Sequence, residues 1–74
     1  MNQPVKSQFN SPAGGLYQAY WNGKNYGSKQ YITVRALPNG KEMKVVVDNG
    51  VCTEYHMSYG RELAEAAAKA VGLM

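Results

Sequence analysis

The chain of 74 residues has one Cys, one His and only five acidic groups, set against eight basic ones. A lone Cys closes no intrachain disulfide, which sets aside the stapled mini-protein scaffolds. One Cys and one His are too few ligands for a zinc site of the usual Cys/His kind. No apolar run approaches the length of about 18 residues that a membrane span needs. Residues 1–15 hold no apolar stretch of the sort a secretory signal uses. Charged residues make up 18% of the chain, below the usual quarter or so. A chain of this size has room for one domain and one small core, and buries only about 60–65% of its unfolded surface. Its stability should fall at about 4–11 kcal/mol. We therefore expect a cytoplasmic protein with no metal, no cofactor and no membrane contact.

Apolar residues make up 45% of the chain, and Tyr supplies six of its eight aromatics. That is a folded composition with an uncharged, tyrosine-bearing surface. Residues 1–15, MNQPVKSQFNSPAGG, carry two of the three prolines and no clear period, which predicts a flexible N-terminal arm. Phe9 would lead it if it ordered on a partner.

From Leu16 the pattern is that of strands, punctuated by Asn22-Gly23, Asn39-Gly40 and Asn49-Gly50. Asn-Gly between apolar runs is a strong hairpin signal, because tight hairpin turns need residues that tolerate positive φ. We expect four strands in an antiparallel meander, near 16–22, 29–37, 41–48 and 51–58. The first connection looks longer, with Asn25, Gly27 and Ser28 in it.

In the last hairpin, a three-residue loop at Asp48-Asn49-Gly50 pairs Val47 with Val51, Val45 with Thr53 and Met43 with Tyr55. It also sets Lys44 beside Glu54 and Glu42 beside His56. In the middle hairpin, a turn at Leu37-Pro38-Asn39-Gly40 pairs Ala36 with Met43. The expected buried face is then Ile32, Val34, Ala36, Met43, Val45, Val47, Val51, Tyr55 and Met57. The outer face carries Tyr31, Thr33, Arg35, Lys44, Val46, Cys52, Glu54 and His56.

Arg61 to Val71 has no Pro, no Gly and five alanines, a helix-forming run. Leu63, Ala66, Ala67, Ala70, Val71 and Met74 form one apolar stripe. Ser58 is the expected N-cap and Gly72 the stop. Sheet face and helix stripe each need a partner, so they should pack together. The expected architecture is α+β: arm 1–15, then one ββββα domain over 16–74.

The segment GRELAEAAAKAVGLM, following a three-stranded meander, looks like the end of a double-stranded-RNA-binding domain. That resemblance implies RNA binding and an alanine-rich helix on the sheet. The chain departs from the family at its lysine cluster, which would fall near Arg61, Glu62 and Glu65, and in lacking the family's first helix. The strand order with a backing helix is also similar to plant AP2 and integrase-arm sheet domains, without their motif. No residue is carried over from either.

No catalytic constellation stands out. Cys52 and His56, four apart on one strand face, would be roughly 13 Å apart. Cys52, Glu54 and His56 would point the same way, as a surface row. The glycines lie at turns or in the arm, so no phosphate-binding loop forms. We expect a non-enzyme that binds a macromolecule. Tyr17, Tyr20, Trp21, Tyr26 and Tyr31 are the aromatic anchors, with Arg35 and Lys44 as charged neighbours. A small core cannot enclose the whole cluster, although any one of Tyr20 or Trp21 could plug it. A protein partner is preferred, since Tyr, Trp and Arg dominate contact surfaces. In size and make-up the chain is similar to small phage and mobile-element inhibitors.

Nucleic acid on the outer sheet face is the alternative. Of the net charge of +3, one unit falls in residues 1–15, two in 16–59 and none in the helix, so the cations are not pooled. A homodimer through the uncharged edge of the first strand, Leu16 to Asn22, or through the outer sheet face, is the third possibility.

Overall fold

A computed structural model describes residues 3–55 and 60–74. The fold is α+β, an antiparallel sheet with one C-terminal helix. The sheet has five strands in sequential order: β1 (Val5–Asn10), β2 (Leu16–Trp21), β3 (Lys29–Ala36), β4 (Glu42–Asp48) and β5 (Val51–Glu54). The helix α1 spans Gly60–Ala70. Among the described residues no helix is long and apolar enough to cross a membrane.

The additional strand is β1, which lies inside the segment expected to be a flexible arm. It pairs antiparallel with β2 from Val5 opposite Trp21 to Asn10 opposite Leu16. The Pro and Gly residues that suggested flexibility build the connecting turn. Gly14 N–H donates to the Ser11 carbonyl (2.9 Å) and Ser11 N–H to the Gly15 carbonyl (2.9 Å). Gly14 and Gly15 both take positive φ there, a conformation that costs glycine little. Val5, Ser7 and Phe9 alternate inward against Lys6, Gln8 and Asn10, but Ser7 at the centre hides the period. The strand from Leu16 is therefore interior, flanked by β1 and β3. The free edge that would have carried a homodimer is occupied.

The β3–β4 pair keeps its expected faces in a different register. Met43 lies opposite Val34, with Ile32 opposite Val45. That is a two-residue slip from the Ala36–Met43 pairing, and a slip of two preserves which side chains point inward. The cause is the loop, which runs through residues 37–41 and closes with Gly40 N–H donating to the Ala36 carbonyl at 2.7 Å. A Cβ at Gly40 would fall 2.6 Å from that same oxygen.

The last hairpin differs more. Asn49 (φ 53°) and Gly50 (φ 78°) form a two-residue turn, and Asp48 pairs with Val51 and Val47 with Cys52. Both central residues have positive φ, as the favoured two-residue hairpin turn requires. Cys52 thus faces inward and is buried, whereas Val51 is 56% exposed, the reverse of expectation. Thr53, expected to face inward, is also exposed. A bulge between Val46 and Val47 puts Glu54 opposite Val46 rather than Lys44. Val46 keeps its expected place on the outer face, opposite Tyr31, but it is buried there. His56, Met57 and the proposed cap Ser58 lie outside the described residues.

The helix buries Leu63, Ala64, Ala67, Ala68 and Val71. The expected stripe is right at Leu63, Ala67 and Val71. Ala66 and Ala70 are only half-buried and Met74 is 44% exposed. Alanines flank the stripe on both sides, so composition does not choose the flank; contact with the sheet does. Gly72 ends the helix at φ 84°. Gly72 N–H donates to the Lys69 carbonyl (3.1 Å) and Leu73 N–H to the Ala68 carbonyl (2.9 Å). These are the paired bonds of a Schellman cap, and Leu73 packs on the core beyond it. No polar or charged residue is buried among those described.

Ala67 and Ala68 are fully buried. Ala67→Glu or Ala68→Glu should each cost about 3–5 kcal/mol, as an uncompensated buried charge does. Ala66→Glu should cost clearly less, and Glu65→Ala about 0.5 kcal/mol or less. Urea melts read the difference. Equal costs at Ala66 and Ala68 would refute this face. Gly40→Ala should lose about 1–3 kcal/mol in the same assay, through crowding of Ala36.

Candidate binding face

The helix covers one side of the sheet. The other side is open, and on it two cross-strand rows run across four strands. One row is Lys6, Tyr20, Thr33 and Lys44; the other is Gln8, Gln18, Arg35 and Glu42. Lys6, Gln18, Tyr20, Thr33, Arg35 and Glu42 line a shallow depression of about 420 Å³. Arg35 is half-buried in it, and its Nε is screened from solvent with no hydrogen-bond partner among the described residues.

Tyr31 lies on the same face, opposite Val46 on β4 and 43% exposed. Tyr26, 50% exposed, meets it edge-to-face at a ring separation of 5.3 Å and 67°, the geometry that ring quadrupoles favour. The β2–β3 connection holds Tyr26 there. Tyr26 and Lys29 exchange backbone hydrogen bonds of 2.8 and 3.1 Å around Gly27-Ser28. Lys24 N–H donates to Asn22 Oδ1 (2.9 Å) and Gln30 Nε2 to Asn25 Oδ1 (2.8 Å). At the far side of this turn Ser28 Oγ donates to Asp48 Oδ1 at 2.5 Å, and the Ser28 carbonyl accepts from Asn49 N–H. Two neighbouring hairpin turns are thereby tied together.

The seven expected contact residues divide. Tyr20, Tyr26, Tyr31, Arg35 and Lys44 share the open side. Trp21 does not: it is 7% exposed, on the helix side of the sheet. Its indole N–H donates to the Lys24 carbonyl at 3.0 Å, so the ring fills core and pins the loop at once. Tyr17 also faces the helix side, half-buried against the core and stacked on Phe9 at 6.0 Å. Alternation along β2 separates these two from Tyr20. Lys6 and Gln18 were not among the expected residues. Lys6 sat in a presumed arm, and Gln18 is signalled only by its register beside Arg35.

Cys52 and Glu54 do not share a surface row, since Cys52 points into the core. Its Sγ lies 3.9 Å from Met74 Sδ. Burial pushes its thiol above the ordinary value of 9.0; the nearby Glu65 carboxylate adds to the shift and Arg61 opposes it. Among the described residues no group of three His, Cys, Asp or Glu could hold a metal ion.

No family model, curated protein or solved structure matches the chain. Its function must be argued from this face.

Trp21→Ala should cost about 3–5 kcal/mol, as large core truncations do, and largely unfold so small a chain. Tyr26→Ala and Tyr31→Ala should keep the native circular dichroism spectrum. A folded Trp21→Ala would show the ring to be dispensable to the core. For Cys52, the folded state holds the thiol proton more tightly than the unfolded chain does. Stability is therefore intact below 9.0 and declines as pH rises beyond it. Melts across the alkaline range should show a decline that Cys52→Ala reduces.

Proposed function

We propose that this chain is a small non-catalytic binding module that docks a protein partner on the open face of its sheet. The observation that carries this is that Tyr20, Tyr26 and Tyr31, each more than a third exposed, share the open side of the sheet with the half-buried Arg35. These side chains come from two strands and a loop, and one rigid sheet holds them on one side. Tyr and Arg are enriched where proteins meet, because each offers a large contact area with a polar end. Lys44 flanks the group as its charged neighbour. A module that works by occupying a partner's surface would suit the inhibitor type to which its size and make-up are similar.

A nucleic-acid reading gains one observation: Lys6 joins Arg35 and Lys44 on the same face. Against it stand Glu42, Asp48 and Glu54, which register on the same side of the sheet. A polyanion needs several uncompensated cations along its track.

The test compares wild type with the Tyr26→Ala/Tyr31→Ala double variant, both folded, in capture of a partner from host extract. Loss of at least about tenfold in retained partner is expected, the size of an ordinary hot-spot effect. Undiminished capture by the double variant would overturn the docking face. Retention on mixed DNA or RNA that fades steeply with salt and is lost in Arg35→Ala/Lys44→Ala would establish the alternative.

A further inference from the structure

We propose that the depression on the open face is a seat for a single carboxylate, presented by an acidic side chain of the protein partner. This rests on the docking face argued above and names the chemistry of what docks. The depression of about 420 Å³ has six lining side chains, and five of them can donate hydrogen bonds: Lys6, Gln18, Tyr20, Thr33 and Arg35. Arg35 Nε is already withdrawn from water and has no acceptor among the described residues. A buried donor without a partner is a standing cost that an incoming oxygen removes. A guanidinium also matches a carboxylate geometrically, with parallel N–H groups.

Glu42, opposite Arg35 on β4, completes the lining. Two cations and one anion leave the seat with a single net positive charge, which matches one carboxylate. The same Glu42 argues against a continuous polyanion. Beyond it Asp48 and Glu54 register on the same face, so a nucleic-acid backbone crossing the sheet would pass over carboxylates. Tyr20 is itself part of the lining. The partner residue that fits is thus a Glu or Asp among uncharged neighbours that lie on the tyrosines.

The experiment titrates the isotope-labelled full chain with three probes and follows the Arg35 Nε–H resonance. The probes are a blocked heptapeptide with one central glutamate flanked by leucines, its glutamine twin, and a short oligothymidylate. The glutamate peptide should shift the resonance saturably and bind at least about tenfold more tightly than its twin. Arg35→Gln and Lys6→Gln should each abolish that preference. Lys6 is exposed, so its variant remains folded and keeps the test valid if Arg35→Gln does not. Equal response to both peptides, or none, would overturn the carboxylate seat. So would response to the oligonucleotide alone. The two proposals fail separately: undiminished capture by the tyrosine double variant removes the face, whereas a lost glutamate preference with tyrosine-dependent capture intact removes only the seat.

Discussion

The contact on which the rest depends is that of one short helix with one face of a five-stranded sheet. Eleven residues of helix are about 16 Å long. Five strands at about 4.8 Å spacing make a sheet about 19 Å across. The helix meets β1, β2, β3 and β5, and its alanines let its backbone come close: Ala64, Ala67 and Ala68 are buried to within 2% of complete. Larger side chains fill the rest of the layer. Trp21 is part of the core, and Phe9, Tyr17, Tyr55 and Leu73 pack against it. The aromatic content is therefore spent partly on closing a core that a single helix cannot close alone.

That constraint shapes the functional side as well. Since one helix can cover only one face, the opposite face stays open, and its exposed side chains are available for contact. Strand alternation sorts the tyrosines between the two sides without regard to their neighbourhood in sequence. Tyr20 and Trp21 are adjacent in the chain, yet one faces solvent and the other the core. The indole N–H bond to the Lys24 carbonyl then links the two sides: a core ring positions the loop that carries Tyr26 on the open face.

Legibility was uneven for specific reasons. Strands β2, β3 and β4 and the helix were readable to within a residue or two, because their apolar periods are strong. The β1 strand was not, since Ser7 interrupts a three-residue inward row and Pro and Gly surround it. Its pairing with β2 supplies what its own pattern lacks. The β4–β5 register is hidden because a two-residue turn, continued without interruption, sets Val45 opposite Glu54 and mixes the faces. The bulge between Val46 and Val47 resolves that conflict, and no local pattern announces it. Of the site, the tyrosines and Arg35 were visible as residue types. Lys6 and Gln18 became part of it only through β1 and β2 pairing.

The sequence by itself determined the class of fold, the strand faces of the central hairpin, the helix and its Gly72 stop, because these follow from periodicity and backbone preference within a few residues. Tertiary structure decided the membership of β1, the registers of the last two hairpins, the inward turn of Cys52, and which aromatics remain exposed. Those outcomes depend on which strand lies beside which and on how far one helix reaches. Both are relations between residues distant in the chain, to which local preference is blind.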